Sequence, residues 1–264
     1  MNGNMSNLPK IGVDIGSDSV RIVELEPVGK QWKLISAAST SGGTDLQTVP
    51  ATLVAMLKEA GIKSRRVVLA LQEEQVSSHV VELPLMKDSE IEQALEWQVE
   101  QYIPIPKNEA VWSWEAVRRD EGSGKMEILL VAAAKTLVES YRRAVEAAGL
   151  ELMAVETGLT ATARAEIKPG SPLSVVVDMG AKSTDMGIVR DGLLIFARTI
   201  PTAGDAFTRA IETGLGLDRA QAQEYKKTYG MDDKYLEGKL AEVMKPVLAV
   251  VAGEIRKTID FYAT

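Results

Sequence analysis

The sequence predicts a mixed α/β fold, of the α+β kind, that contains two related half-domains. Segments with the alternating pattern of strands are interspersed with amphipathic helices in several short cycles, which is typical of this class. A strand–turn–strand pattern also occurs twice, because IGVDIGSDSV at residues 11–20 lies in register with VVVDMGAKST at residues 175–184. With 264 residues and a hydrophobic content of 45%, the chain is long enough for two compact units.

The composition argues against several classes of function. The net charge of −7, without a compensating basic block, argues against nucleic-acid binding. The chain contains no cysteine, so neither a disulfide framework nor a thiolate zinc site is expected. The N-terminus has no apolar signal core, and no apolar run reaches the ~18 residues needed to cross a bilayer. We therefore expect a soluble, cytoplasmic protein that reaches a membrane only through a partner.

The first half of the chain alternates between strand and helix patterns. Two apolar runs, residues 11–15 and 20–25, flank a small polar turn and predict a hairpin. The remaining strands are predicted in QWKLISAAST, RRVVLALQ, SSHVVELP, EAVWSWEAVRRD and KMEILLVAAA. Helices are predicted at residues 50–60, in DSEIEQALEWQVEQYIP and in TLVESYRRAVEAAG. Ser89 and Glu92 fit a capping box at the start of the second helix.

The second half begins with strands and ends with helices. The predicted strands are VVVDMG, STDMGIV and LLIFARTI, with a turn at residues 190–192 between the last two. The predicted helices are GDAFTRAIETG, DRAQAQEYKKTYG and a long segment from about Tyr235 to the end.

The repeated turns carry the candidate binding residues. Asp14 matches Asp178 and Gly16 matches Gly180, at a constant separation of 164 residues. Either copy alone is an ordinary hairpin turn, because Asp and Gly are common turn residues. Two copies in register favour a binding function, with the two turns facing each other across a cleft.

The residue types in these turns suit a magnesium-bound nucleotide. Backbone N–H groups and hydroxyls of a Gly/Ser turn can bind phosphate oxygens, and glycine allows a close approach. Carboxylates repel bare phosphate, so Asp14 and Asp178 are predicted to hold Mg²⁺ through water. Lys182 adds a positive charge for a phosphate.

The two turns resemble the phosphate-binding motifs of the actin/Hsp70/sugar-kinase superfamily. Within it, the chain is most similar to the PilM family of type IV pilus assembly, with FtsA as the nearest relative. The resemblance rests on DIGSDSVRIVEL near the start, the QYIP signature at residues 101–104, the strand EAVWSWEAV, and the second phosphate motif with its continuation RDGLLIFARTI. It covers almost the whole chain.

The resemblance implies an actin-like ATPase fold of two lobes with an inserted 1C-type subdomain. The implied parts are subdomain 1A at residues 1–84 and 154–170, subdomain 1C at 85–153, a partial 2A at 171–203 and a partial 2B at 204–264. The adenosine motif, an apolar strand that runs into Gly-Gly, is not found after Gly230. We therefore expect a C-terminally incomplete fold, either a fragment or a shortened family member.

The cofactors that the resemblance implies are ATP and Mg²⁺, with ATP between the lobes. In the superfamily an A-E-x-x-K segment contacts the nucleoside, and here Lys226 is retained while Gln223 replaces the acid. The full set of predicted nucleotide-binding residues is Asp14, Gly16, Ser17, Asp18, Ser19, Arg21, Asp178, Gly180, Ala181, Lys182, Ser183, Thr184, Gly204, Gln223 and Lys226.

The function that the resemblance implies is a nucleotide-binding scaffold, cytoplasmic and peripherally attached to the inner membrane through a partner. A groove between 1A and 1C would bind the N-terminal cytoplasmic peptide of a PilN-like membrane protein, and self-association or a ring is a further implied contact. At most slow ATP hydrolysis is expected, and no catalytic residue is predicted. Trp112 and Trp114, or residues 97–106, are candidates for the groove, although two tryptophans on one strand face favour a core pair.

Two other functions remain open. A small-molecule kinase of the same superfamily would need a catalytic carboxylate near the acceptor hydroxyl, and no additional Asp in a Gly-rich loop fits. An FtsA-like cell-division protein predicts a C-terminal amphipathic membrane helix, which this sequence does not show. His79, the only histidine, is predicted to be structural or at the surface rather than a general base.

Overall fold

The structure, a computed structural model, describes residues 10–29, 31–96, 99–168 and 170–263. The strands in these ranges are β1 (Ile11–Ile15), β2 (Ser19–Val28), β3 (Gln31–Ser41), β4 (Arg66–Leu71), β5 (Val76–Pro84), β6 (Ala110–Asp120), β7 (Lys125–Ala134), β8 (Glu151–Thr157), β9 (Ser174–Met179), β10 (Thr184–Arg190) and β11 (Leu193–Ile200). The helices are α1 (Val49–Glu59), α2 (Asp88–Glu96), α3 (Val99–Tyr102), α4 (Lys135–Ala147), α5 (Gly158–Glu166), α6 (Gly204–Leu215), α7 (Arg219–Tyr229) and α8 (Lys239–Ala263).

A five-stranded sheet organises the first part of the chain, in the order β3-β2-β1-β4-β8. Strand β1 is antiparallel to β2 and parallel to β4, and β4 is parallel to β8. Alternate residues of β1 are buried, as the period of a strand requires. They form a core with α1 and α4, in which Val13, Leu53 and Val145 are almost fully buried.

A separate three-stranded antiparallel sheet has the order β5-β7-β6. Helices α2 and α3 cover one face of it through Ile91, Leu95 and Val99, which pack with Ile128 and Leu130 of β7. Because β6 pairs with β7 alone among the described strands, β6 forms a free edge of this sheet.

The last part of the chain contains the sheet β11-β10-β9 and three helices. A two-residue turn joins β10 to β11, and both its residues have positive φ, 53° at Asp191 and 81° at Gly192. This is the conformation that a tight hairpin prefers. Helices α6, α7 and α8 share a core around Ile211, Ala222 and Leu240.

The chain divides into two compact units. The first comprises residues 1–174 and 188–197, and the second comprises residues 175–187 and 198–264. The four predicted subdomains stay a prediction. None of the helices in the described ranges is both long and apolar enough to cross a bilayer.

Three details of the secondary structure differ from expectation. Helix α2 begins at Asp88, and the carboxylate of Glu90 accepts a hydrogen bond from the backbone N–H of Lys87 at 2.9 Å. The predicted capping box of Ser89 and Glu92 is therefore wrong by two residues. Strand β8 and helix α5 were not predicted.

Positions 97 and 98, within the candidate groove segment, lie outside the described residues, as do residues 1–9.

Candidate functional site

The first repeated turn joins β1 to β2. The backbone N–H of Gly16 donates to the carbonyl of Ser19 at 2.9 Å, which closes the turn. A Cβ at Gly16 would lie only 3.2 Å from that carbonyl oxygen, so glycine is favoured here. Gly42 and Gln72 hold the turn from outside by donating to the carbonyls of Asp18 and Ile15, at 2.7 and 2.9 Å.

The polar side chains of this turn have different surroundings. Asp14 and Arg21 lie directly opposite each other on the hairpin, and their carboxylate and guanidinium are 2.7 Å apart. The Oγ of Ser19 is buried and has no hydrogen-bond partner in the described part of the chain. Ser17 is half-buried and Asp18 is exposed. Among the described residues, the turn therefore offers one buried hydroxyl without a partner, that of Ser19, while the Asp14 carboxylate already has a cationic partner.

The second turn repeats the backbone geometry of the first. The N–H of Gly180 donates to the carbonyl of Ser183 at 2.9 Å, and a Cβ at Gly180 would lie 3.1 Å from that oxygen. The predicted duplication is confirmed at the level of individual hydrogen bonds. Asp178 and Lys182 are exposed, and the structure shows no hydrogen bond or ion pair for either side chain among the described residues.

The N-terminus of α6 lies against the second turn. The N–H groups of Gly204 and Asp205 donate to the carbonyls of Gly180 and Ala181, at 3.1 and 2.8 Å. A Cβ at Gly204 would lie 3.1 Å from the Gly180 oxygen, so only glycine allows this approach without a shift. Two N–H groups at the start of a helix thus stabilise the backbone of the turn.

Lys226 of α7 supports the same helix start. Its ammonium donates to the carbonyl of Gly204 at 2.7 Å and to Oγ1 of Thr208 at 2.8 Å. Gln223 lies three residues earlier on α7 and is half-buried. The hydroxyl of Thr184 is fully buried and donates to the carbonyl of Thr202 at 2.7 Å. Thus hydrogen bonds connect Gly180, Gly204 and Lys226, whereas no contact of Gln223 with the turn is seen among the described residues.

A separate, mainly apolar groove of about 390 Å³ lies within the first unit. Its walls come from two different sheets, since both β6 and β8 contribute consecutive residues. Strand β6 is an edge of its three-stranded sheet, and β8 is an edge of the five-stranded sheet. The lining residues are Leu71, Val76, Val111, Trp112, Ser113, Trp114, Glu115, Leu129, Val131, Ala132, Ala133, Val138, Val155, Glu156, Thr157 and Thr160.

Both tryptophans of β6 line the groove. Trp112 and Trp114 are half-buried and pack against the core formed with α2 and α3, so the core interpretation is also correct. The residues that alternate with the tryptophans along β6, Val111, Ser113 and Glu115, are exposed on the other face of the strand. Sequence reasoning missed these three, although the alternation within EAVWSWEAV was a signal for them.

The charged groups at the groove are a triad of two acids and one base. Arg164 of α5 makes two hydrogen bonds to the carboxylate of Glu156, at 2.5 and 2.7 Å. These bonds raise the pKa of Arg164 above its ordinary value, and the nearby Glu115 carboxylate adds to the shift. Glu115 itself makes no hydrogen bond or ion pair in the described part of the chain.

Comparison with known proteins identifies the family. A family model described as type IV pilus assembly protein PilM matches residues 12–264. The chain belongs to this family. The solved structure of a PilM–PilN type IV pilus biogenesis complex is similar to it, with a TM-score of 0.78 and 26% identity over 97% of this chain and 78% of that one. The expected relationship to PilM is confirmed.

Other relatives of this PilM-family chain share the fold. FtsA of Bacillus subtilis is 31% identical over 40% of this chain and 24% of its own length, and FtsA of Enterococcus hirae is 24% identical over 96% and 64%. The chain thus spans less than two thirds of these FtsA relatives. EutJ of Carboxydothermus hydrogenoformans, 16% identical with a TM-score of 0.60, covers 97% of this chain and 74% of that one. The actin-like fold is confirmed.

Proposed function

We propose that the chain is a scaffold of type IV pilus assembly whose groove binds the N-terminal cytoplasmic peptide of a PilN-like membrane protein. The observation that carries the proposal is the groove between the free edges of β6 and β8. A free strand edge offers unpaired backbone groups to an extended peptide, and apolar pockets beside it accept alternate side chains. A solved relative is a PilM–PilN complex, which supports the same partner class.

The lining of the groove suits a short peptide with apolar side chains. Val111, Leu129 and Val131 form one wall from the three-stranded sheet, while Val138 and Val155 come from α4 and β8. A volume of about 390 Å³ accommodates a few such side chains. Because the membrane anchor would belong to the partner, the proposal places the protein at the cytoplasmic side of the inner membrane. Self-association stays a prediction, which sedimentation velocity would test.

The test is peptide binding to a groove variant and to a matched control. Val111 is 46% exposed, so Val111→Asp places a carboxylate in the groove at small cost to the fold. A fluorescent peptide with the N-terminal sequence of a PilN-type protein should bind the wild type and bind this variant at least about tenfold more weakly, about 1.4 kcal/mol. Val28→Asp makes the same change at an exposed strand position outside the groove and should bind normally. Equal affinity of all three proteins would contradict the proposal.

We also propose that each of the repeated turns, taken by itself, is a phosphate-binding motif for Mg-ATP. Two observations support nucleotide binding: the repeated backbone hydrogen bond at Gly16 and Gly180, and the Ser19 hydroxyl, which has no partner among the described residues. Asp178 suits an indirect Mg²⁺ contact because its carboxylate is exposed, whereas Asp14 is engaged by Arg21. A fold neighbour, MreB5 of Spiroplasma citri, is described as bound to AMPPNP. No catalytic residue is part of the proposal.

Calorimetry with and without magnesium distinguishes metal-dependent ATP binding from metal-independent ATP binding. Asp178→Ala should weaken binding of Mg-ATP while leaving binding of magnesium-free ATP unchanged or stronger, because a repulsive carboxylate is removed. Asp14→Ala should weaken Mg-ATP binding less than Asp178→Ala does, because the Asp14 carboxylate is already paired with Arg21. The control is Asp233→Ala, which removes an exposed carboxylate outside both turns. If all variants bind Mg-ATP like the wild type, the role given to these carboxylates is wrong.

A further inference from the structure

The groove carries one acidic side chain that makes no ion pair in the described part of the chain. Its lining contains two ionisable residues, Glu115 and Glu156. Arg164 neutralises Glu156 through two hydrogen bonds, while Glu115 makes none in the described ranges. The triad therefore has a net charge of −1 when all three groups are ionised, and Glu115 is the acid that remains for a ligand. A negative charge beside an apolar groove favours a cationic partner group.

The position of Glu115 on β6 relates this charge to the apolar part of the groove. Val111, Ser113 and Glu115 project from one face of β6, directly opposite Ala133, Val131 and Leu129 on β7. A peptide that adds to the free edge of β6 extends this face. Its side chains two residues apart would then lie beside successive members of the Val111, Ser113, Glu115 series. Alternate residues of the peptide would thus contact the charged residue Glu115 and the apolar part of the groove.

We propose that the groove selects an extended peptide in which a lysine or arginine lies beside Glu115 and apolar side chains occupy the next two alternate positions, beside Ser113 and Val111. This inference rests on the proposed function, since it specifies the ligand of the same groove. Glu115 acts as a specificity residue: it discriminates between peptides of equal apolar content by the charge at one position.

The probes are short fluorescent peptides with lysine, valine and leucine at alternate positions and threonine between them. A second peptide has the same pattern reversed, because the strand can add in either direction. In matched peptides norleucine replaces lysine, and in others glutamate replaces it. Binding is measured by fluorescence anisotropy at low and high salt, since screening weakens an exposed ion pair.

Three variants of the full chain complete the test. Glu115→Gln should weaken binding of the better lysine peptide by about five- to tenfold at low salt, as expected for loss of a charge-assisted contact. It should leave the norleucine peptide unaffected. Glu115→Lys should prefer the glutamate peptide. Glu121→Gln removes the same charge from the exposed turn after β6 and should bind like the wild type. Thermal unfolding checks that each variant is folded.

The outcomes distinguish the inference from the function on which it rests. Equal binding of the lysine and norleucine peptides by the wild type, or no effect of Glu115→Gln, would overturn the inference. If binding is lost in Val111→Asp but not in Glu115→Gln, the groove function stands and only the selection of a cation fails. If the designed peptides do not bind the wild type but the PilN-type peptide does, the inference fails and the groove function stands; if neither kind of peptide binds, both proposals are contradicted.

Discussion

Helix α6 packs so closely on α8 that there is no room for a side chain at Gly214. A Cβ added there would lie 2.5 Å from Cγ1 and 3.0 Å from Cβ of Val243. Carbon atoms in contact prefer about 3.5–4.0 Å, so alanine at this position would overlap Val243 by about 1 Å. Since α6 also supports the second turn, this contact bears on the candidate nucleotide site.

The expected effect of Gly214→Ala is a net loss of stability. Overpacking a tight contact costs about 1–3 kcal/mol. Alanine recovers about 0.5–1 kcal/mol relative to glycine in a helix. The difference of the mid-range values gives a decrease of about 1 kcal/mol in the free energy of unfolding, with an upper limit of about 2.5 kcal/mol.

Gly253 of α8 provides the control, because a Cβ added there meets nothing within 4 Å. Gly253→Ala should therefore stabilise the protein by about 0.5–1 kcal/mol. Urea unfolding followed by far-UV circular dichroism measures both variants. Adding Val243→Ala to Gly214→Ala removes the closest methyl, so a double-mutant cycle should give a favourable coupling of about 1 kcal/mol. The reasoning is refuted if Gly214→Ala is as stable as Gly253→Ala, or if the coupling is absent.

Two further predictions concern helix ends and ion pairs. Asp218 and Gln221 form a capping box at the start of α7, with hydrogen bonds of 2.9 and 3.3 Å. Asp218→Ala should therefore lower the free energy of unfolding by about 1 kcal/mol, and Asp218→Asn should lower it by less. Urea titration of both variants checks this. Hydrogen bonds from Arg142 and then Arg143 lower the pKa of Glu139 to about 2. Because the folded-state pKa is lowered, the ion pairs favour the folded state above the ordinary pKa and are lost as the pH falls towards about 2. An NMR titration in which the Glu139 carboxyl retains an ordinary pKa would contradict this.

The strands that the sequence predicted best are those with clear alternation. In β1 and β4, alternate apolar residues face one buried core, so period and burial coincide. Strand β8 was missed because Leu152, Met153 and Ala154 are interrupted by a bulge opposite β4. Its identity as a strand depends on parallel pairing with residues more than eighty positions earlier, which local patterns do not encode.

The candidate site, like the strands, was predictable only in part. The internal repeat located Asp14 and Asp178, because a repeat is visible in the sequence without any knowledge of tertiary contacts. The pairing of Asp14 with Arg21 follows from the hairpin register, since both lie at equal distances from the turn. The groove was only partly predicted, because its walls come from two sheets and two helices. The contact of Lys226 with the start of α6 was not predicted, because a lysine on a helix usually extends into solvent.

The division into two units has a spectroscopic consequence. The chain has four tryptophans, at positions 32, 97, 112 and 114, and all of them fall within the residue ranges of the first unit. Tyr225 and Tyr229 of α7, whose rings pack edge to face 5.5 Å apart, belong to the second. Indole emission therefore follows the unfolding of the first unit alone, while circular dichroism follows both. Two curves that do not coincide would show that the units unfold separately.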